Sequence, residues 1–204
     1  MKKYIPLALT ILASTYISSV SATEDNSWYV GALYSAQEIE GQSLDGRDFN
    51  TAGIIAGYQY NKYFSLETRF SKGTSGAIYD DWSSFDQSLD DSTTDIDYQG
   101  SILIKASYPV TDTFNVYATA GYTKTKIEQD YTVPIFDADF MVIGSESFNG
   151  GFTEDGFTYG LGLSFKVSDK FNIFTEYQIL PDVDRFYDSS GNWDSINVGV
   201  SYTF

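Results

Sequence analysis

The most constraining feature of this sequence is a two-residue alternation of large apolar and small or polar residues that recurs along the chain. The last segment shows it clearly. Its large apolar residues are Ile196, Val198, Val200, Tyr202 and Phe204, and the residues between them are Asn, Gly, Ser and Thr. This period is typical of a strand whose two faces meet different surroundings. The chain is therefore predicted to be all-β.

Eight alternating segments are predicted as strands, over residues 27–37, 51–60, 64–72, 95–108, 114–127, 156–167, 171–180 and 193–204. Short turns at 61–63, 109–113 and 168–170 join three pairs of consecutive strands. The other connections, near residues 38–50, 73–94, 128–155 and 181–192, are longer and rich in Asp, Ser and Gly. Short turns at one end and long loops at the other favour an eight-stranded antiparallel up-and-down barrel.

Residues 1–22 have the composition of an export signal. Lys2 and Lys3 precede an apolar stretch that runs to Val20, and Ser21 and Ala22 provide small residues for cleavage. A transmembrane helix is the alternative, but the stretch is short and interrupted by hydroxyl side chains. We therefore expect a signal peptide at 1–22 and one barrel domain at 23–204.

The charge and the missing residue types limit the function. The predicted signal contains two of the 12 basic residues and none of the 28 acidic ones, so the mature chain would carry a net charge of −18. Such a chain repels phosphates, which argues against a nucleic-acid partner. The chain has no His and no Cys, and no nucleotide loop, metal cluster or redox motif is found. We expect no cofactor.

The alternation fits either a transmembrane barrel or a soluble, lipocalin-like ligand carrier, which turns its apolar face inward. Two features favour the transmembrane barrel. The face opposite the apolar one is small and polar, as a narrow lumen requires; it carries Gly53, Gly57, Ser101, Ser107, Thr119, Gly121, Gly160, Gly162, Ser164, Gly199 and Ser201. Aromatic residues also crowd the predicted strand ends, as expected of girdles at the two membrane boundaries; these are Trp28, Tyr58, Tyr60, Phe64, Tyr108, Phe114, Phe165, Phe171 and Tyr202.

The export signal, the eight alternating strands and the terminal Tyr202-Thr203-Phe204 resemble the small outer-membrane β-barrel family, which includes the OmpA transmembrane domain and the opacity-type surface proteins. The resemblance is one of pattern along the mature chain, and it implies a location in the cell outer membrane. It also implies that Val198, Val200, Tyr202 and Phe204 are recognised by the barrel-assembly machinery. No Pro-rich linker or peptidoglycan-binding domain follows the predicted barrel, so a wall-anchoring role is not expected.

Four long charged residues fall on the predicted inward face: Glu67, Arg69, Lys105 and Glu176. Counted from the short turns, Glu67 is level with Lys105, and Arg69 is level with Glu176 about half-way round the barrel. An unpaired buried charge is costly, and Arg is long enough to cross so narrow a lumen. We predict a salt-bridge network, Glu67 with Lys105 and Arg69 with Glu176, that plugs the barrel.

The predicted loops are acidic, with Asp80, Asp81, Asp86, Asp90 and Asp91 in the second of them. Divalent cations bound there would tie the loops to lipopolysaccharide, but no segment has the calcium-loop spacing, so solvated acidic loops are favoured. Aromatic residues among the acidic ones offer a surface for an extracellular ligand.

These features predict a monomeric, membrane-anchored structural or surface-interaction protein. Its partners would be outer-membrane lipid, lipopolysaccharide, the barrel-assembly machinery and an extracellular ligand. A narrow gated channel for ions or small solutes is the alternative. An open porin is not expected, because eight strands enclose little free volume. An enzyme is not expected, since a nucleophile of the Ser–His type needs a His that the chain lacks.

Overall fold

The computed structural model describes residues 27–41, 44–80, 91–137, 141–183 and 191–204. These residues form β1 (Ser27–Gly41), β2 (Leu44–Gln59), β3 (Phe64–Ser75), β4 (Ala77–Asp80), β5 (Asp91–Pro109), β6 (Phe114–Phe136), β7 (Val142–Lys166), β8 (Phe171–Ile179) and β9 (Asn192–Thr203). No helix within these ranges is long and apolar enough to cross a membrane. The predicted signal peptide at 1–22 lies outside the described residues.

The strands form one closed antiparallel sheet. The order is β3, β2, β1, β9, β8, β7, β6, β5, and β5 returns to pair with β3. The first and last strands close the barrel in a register that runs from Tyr29↔Thr203 to Glu40↔Asn192. β4 resumes the path of β3 after Gly76 and pairs with β5, so the wall has eight strands and one extra segment. The predicted eight-stranded up-and-down barrel is confirmed.

The three short turns share one construction, which explains the sequence spacing that predicted them. In each, the side-chain oxygen of the first polar turn residue accepts hydrogen bonds from the backbone N–H groups two and three residues later. For Asn61 the two distances are 2.8 and 2.9 Å, for Thr111 they are 3.3 and 3.0 Å, and for Ser168 they are 3.4 and 3.1 Å. A Phe then begins the next strand every time.

The opposite end of the barrel is more regular than predicted. Loops were predicted at 38–50 and 128–155, but β1 and β2 pair as far as Gly41↔Leu44, and β6 and β7 pair as far as Phe136↔Val142. Those two loop predictions are wrong. Residues 143–151 of β7 are exposed at every position, so this stretch lacks the apolar alternation even though its backbone remains paired with β6. In β1 and β2, Ile39 and Phe49 still face inward. The second predicted loop is paired in part, through β4, and its residues 81–90 lie outside the described ranges, as do residues 184–190 of the last predicted loop.

The outer wall of the barrel is apolar and its inner face is mostly polar. In β3, for example, Leu66 and Phe70 are exposed, whereas Glu67 and Arg69 are buried. The nine aromatic residues predicted to form two girdles all lie toward the short-turn end, so they form one girdle only. A second band of exposed aromatic residues lies farther along the wall and was missed; it contains Tyr34, Phe70, Tyr98, Tyr122, Phe157, Tyr159 and Tyr177.

Candidate functional site

The four predicted lumen charges meet in the interior of the barrel. Glu67 and Arg69 lie on the inward face of β3, Lys105 on β5 and Glu176 on β8. Glu67, Arg69 and Glu176 are 2%, 6% and 1% exposed, and the Lys105 side chain is 13% exposed. The strict alternation along β3 places its two charges on the same side of the sheet, one above the other.

Arg69 holds two carboxylates at once. Its Nε lies 2.6 Å from Oε1 of Glu67, which is two residues away on the same strand. Its Nη1 and Nη2 lie 2.6 and 3.0 Å from the two carboxylate oxygens of Glu176, so this second contact is bidentate and crosses the lumen. Such charge-assisted pairs with matched planar geometry are the strongest hydrogen bonds available to side chains.

Lys105 completes the charge balance of the cluster. Its Nζ lies 3.9 Å from Oε2 of Glu67 and 4.0 Å from the centre of the Tyr117 ring. The hydroxyl of Tyr29 donates a 2.7 Å hydrogen bond to the same oxygen of Glu67. Two carboxylates therefore face two cations, and the cluster as a whole is neutral.

Uncharged amides extend this cluster across the lumen. Asn197 donates through Nδ2 to Glu176 at 3.3 Å and to Gln178 at 2.9 Å. Gln178 donates to the Thr158 hydroxyl at 2.8 Å, and that hydroxyl donates to a backbone carbonyl of β8. The sequence analysis missed these residues because it considered only charged side chains. The alternation along their strands already places them on the inward face.

A second amide chain joins four strands. Gln37 on β1 donates to the hydroxyl of Thr51 at 3.3 Å and to the Oε1 of Gln99 at 3.1 Å. Gln99 in turn donates to the hydroxyl of Thr125 at 2.9 Å. Since all four side chains are buried, these hydrogen bonds replace those that the groups would otherwise make to water.

Two apolar layers enclose the polar ones. The layer at the long-strand end, which we call the outer plug, contains Ile39, Phe49, Ile96, Ile127, Leu180, Val183 and Trp193. The layer toward the short turns, the inner layer, contains Tyr29, Leu33, Ile55, Tyr117 and Phe174. The prediction of a small, polar inward face was therefore incomplete. Phe49 was missed because residues 38–50 were predicted to be a loop.

Three aromatic rings of the inner layer lie over glycines directly opposite them on the neighbouring strand. Tyr29 pairs with Gly57, Tyr117 with Gly162, and Phe174 with Gly199. A Cβ at any of the three glycines would overlap its ring. Glycine, otherwise unfavourable in a strand, is therefore needed here to make room for a large side chain in a narrow lumen.

A small ion cluster lies on the outer surface of the wall beyond the second aromatic band. Lys126 donates to Asp97 at 2.7 Å and to Glu128 at 2.8 Å. The hydrogen bond from Lys126 holds the pKa of Asp97 below its usual range. These groups are solvated, so they contribute less to stability than the lumen pairs do.

The residues predicted to be recognised during assembly lie on the last strand. Val198 and Val200 are exposed on the outward face of β9, in line with Tyr202, whose ring makes edge-to-face contacts with Phe171 and Phe204 at 5.1 and 5.3 Å. The N–H of Phe204 donates to the carbonyl of Trp28 at 3.0 Å, so a hydrogen bond joins the first and last strands at this end of the barrel. Among the described residues, no group of three or more His, Cys, Asp or Glu is placed to hold a metal ion.

Known proteins with sequences similar to this chain are outer-membrane proteins. The chain is 25% identical over 119 residues to a 31 kDa outer-membrane immunogenic protein of Brucella melitensis, covering 54% of this chain and 47% of that protein. It is 27% identical over 139 residues to outer membrane protein A of Buchnera aphidicola, covering 59% of this chain and 37% of that protein. The chain thus spans about half the length, or less, of these curated relatives.

The same fold is found in a solved structure, that of Ail, the attachment invasion locus protein of Yersinia pestis. The two share 14% sequence identity with a TM-score of 0.53, over 88% of this chain and 99% of Ail. At this identity the likeness concerns the fold alone. The model of the outer membrane protein beta-barrel domain matches residues 6–204, nearly the whole sequence. The chain therefore belongs to the outer-membrane β-barrel family, and it resides in the outer membrane.

Proposed function

We propose that this protein is a closed, membrane-anchored barrel that serves as a structural and surface-interaction protein and does not conduct. The observation that carries the proposal is the filled lumen. A solute entering from the outside would meet the outer plug, then the amides and the ion cluster around Arg69, and then the inner layer. Each layer would have to move before anything passed.

The ion cluster is the hardest of these layers to displace. To let an ion through, Arg69 would have to release Glu176, to which it is bound by two hydrogen bonds of 2.6 and 3.0 Å. Removing one partner of a buried ion pair costs about 3–5 kcal/mol. A cost of that size makes an open state rare, because each 1.4 kcal/mol reduces its population about tenfold.

A narrow gated channel is the second candidate. It is favoured by one observation, namely that the contact between Lys105 and Glu67 is long, at 3.9 Å, so this pair is looser than the Arg69 pairs. A channel of this kind would conduct only in bursts, when the lumen charges exchanged partners.

We propose no enzymatic activity. Activation of a Ser nucleophile by His is not available to a chain without His, and the carboxylates of Glu67 and Glu176 are engaged by cations. The partners we propose are outer-membrane lipid and lipopolysaccharide around the wall, the barrel-assembly machinery during insertion, and an extracellular ligand at the outer end. Nucleic acid is not proposed as a partner because the chain carries a net charge of −16.

Planar-bilayer recording tests the proposal. The protein is refolded in detergent, its folded state is checked by the heat-dependent gel shift, and it is then inserted into the bilayer. A closed barrel gives no steady current. Reproducible channels whose conductance changes when Arg69 or Glu176 is replaced would instead establish the gated channel.

A further inference from the structure

The lysines on the outer half of the barrel wall are confined to one sector. β3 and β6 lie on either side of β5, and the described lysines of the outer half all lie on the outward faces of β3 and β6: Lys72, Lys124 and Lys126. On the opposite side of the barrel, the charged side chains described at this height on β9, β1 and β2 are all carboxylates: Asp194, Glu38, Glu40 and Asp48. An anion at the outer boundary would therefore be repelled from the second sector and not from the first.

The lysine sector lies where the wall leaves the hydrocarbon. A strand crosses the membrane in about 9–11 residues, and on β6 Lys124 follows Phe114, in the aromatic girdle at the short turns, by ten residues. Gly100 on β5 pairs with Lys124 and with Phe70 on β3, and Lys72 lies one alternation farther out than Phe70. Lipid headgroups lie just beyond the hydrocarbon, so these lysines are level with them.

Two of the three lysines have no bound carboxylate in the described part of the chain. Lys126 holds two carboxylates of its own, at 2.7 and 2.8 Å. Lys72 and Lys124 make no such contact with a described residue. Asp155 pairs directly with Lys124, but its carboxylate accepts a hydrogen bond from the hydroxyl of Tyr122. Two ammonium groups are therefore left to bind an anion from outside the chain.

A notch in the wall lies between these two lysines. Gly100 faces outward there, and a Cβ placed on it would meet nothing within 4 Å. Phe70 and Tyr98 stack next to it, with their ring centres 6.4 Å apart. Glycine in a strand often marks a position where a ligand approaches the backbone closely. Since neighbouring strands lie about 5 Å apart, side chains from β3 and β6 can both reach an anion placed over Gly100.

The surroundings of the notch fit an anion that is part of a lipid. Ile102, the next outward residue of β5 on the hydrocarbon side, is exposed, as are Phe70 and Tyr98. A free phosphate ion would contact the two ammonium groups only. A phosphorylated lipid would make the same contacts and would also cover this apolar surface with its acyl chains.

We propose that the sector formed by β3, β5 and β6 binds a phosphate group of lipopolysaccharide over Gly100, between the ammonium groups of Lys72 and Lys124. The contact is direct and needs no divalent cation. This inference rests on the proposed partnership with lipopolysaccharide and not on the closed lumen. A conducting barrel that binds the lipid at this sector would refute the closed lumen alone.

The test uses the refolded protein in detergent, titrated with diphosphoryl lipid A in the presence of EDTA and followed by native mass spectrometry. Control titrations use lipid A without its phosphates and phosphatidylglycerol, and inorganic phosphate is added as a competitor. We expect lipid A to bind in EDTA and both control lipids to bind at least tenfold more weakly. Millimolar inorganic phosphate should not displace lipid A, whereas added salt should weaken its binding.

Variants of the two lysines locate the site. Lys72→Gln with Lys124→Gln should weaken lipid A binding about thirtyfold, as expected for two lysines beside an anionic lipid surface. Replacing both by Arg keeps the charges and should preserve binding. The matched variant, Lys62→Gln with Lys166→Gln, removes the same charge near the short turns and should leave binding unchanged. The folded state of each variant is checked by the heat-dependent gel shift.

A steric variant tests the notch separately from the charge. Gly100→Leu fills the space over the backbone and leaves both lysines in place, so it should weaken lipid A binding at least about fivefold. Equal binding by Gly100→Leu would show that the lipid does not lie over this residue and would overturn the proposal.

Other results would contradict the proposal in different ways. If the unaltered protein and the Gln double variant bind lipid A equally, the partnership stands and the site is wrong. If neither binds, the partnership with lipopolysaccharide fails as well. Loss of binding in EDTA would assign the contact to cations held by the carboxylates on β9, β1 and β2. Equal binding of phosphatidylglycerol, or displacement by inorganic phosphate, would show a surface that takes any anion.

Discussion

Replacing Arg69 by Ala is expected to destabilise the barrel by about 3–5 kcal/mol, the cost of breaking a buried ion pair by removing one partner. Arg69 makes three short hydrogen bonds, one to Glu67 and two to Glu176. Each hydrogen bond to a charged group contributes about 1.5–3 kcal/mol, but the loss is smaller than their sum. Glu67 keeps Tyr29 and Lys105, and Glu176 keeps Asn197.

The loss arises mainly from Glu176, the carboxylate left without its cation, and this can be tested separately. A double variant, Arg69→Met with Glu176→Gln, removes one charge of each sign and leaves Glu67 with Lys105. Because a buried pair exchanged for groups of similar volume is often neutral, the double variant should recover more than half of the stability lost in Arg69→Ala. Lys166→Ala, at an exposed position near a turn, is the control and should change stability by less than about 0.5 kcal/mol.

Urea unfolding in lipid vesicles, followed by Trp fluorescence and by the heat-dependent gel shift, measures these differences. Bilayer conductance of the same variants reports whether the lumen opens. If Arg69→Ala is as stable as the Lys166 control and equally silent, the ion cluster neither stabilises nor plugs the barrel. If the double variant is no more stable than Arg69→Ala, unpaired charge is not the cause of the loss.

Three further outcomes follow from the packing of the lumen and the last strand. Gly162→Ala should cost about 1–3 kcal/mol, since the new methyl overlaps the Tyr117 ring, while Gly100→Ala, whose Cβ would meet nothing within 4 Å, should not destabilise; urea midpoints compare the two. Trp193→Ala should cost about 3–5 kcal/mol in the same assay, because the side chain is almost fully buried in the outer plug. Deleting Phe204 should lower the amount of folded protein in the outer membrane of cells, yet leave refolding in detergent nearly unchanged; equal losses in both would argue against recognition by the assembly machinery.

The wall of the barrel was predictable from the sequence because the membrane and the lumen impose opposite demands on alternate residues. In β9, for example, Val198 and Val200 face outward, while Asn197 and Gly199 face the lumen. The outer parts of β6 and β7 were not predictable in this way. Their two faces meet the same solvent, so the pattern carries no information about pairing, and only the backbone ladder shows that they are strands.

The charged residues of the candidate site were predictable from the sequence, because their charge and their place on the inward face of a strand can both be read from it. Arg69 and Glu176 stand out because few long charged residues fall on the inward face, and counting from the turns places them at similar heights. The bidentate geometry depends on strand tilt and register, which the sequence does not specify. Asn197 and Gln178 have the correct parity, but nothing in a single sequence separates a structural amide from a solvated one.

The charges of this protein are distributed differently in the interior of the barrel and on its surface. Glu67 and Glu176 balance Arg69 and Lys105, so the ion cluster contributes nothing to the net charge of −16. All of the excess negative charge lies elsewhere on the chain, and part of it lies on the outer surface, where Asp97 and Glu128 flank Lys126. A neutral ion cluster favours closure, because its charges are paired with one another and do not draw an ion inward. An acidic exterior favours recognition of basic partners. The proposed closed lumen and the proposed surface recognition therefore depend on different residues, so each can be tested by mutations that leave the other unchanged.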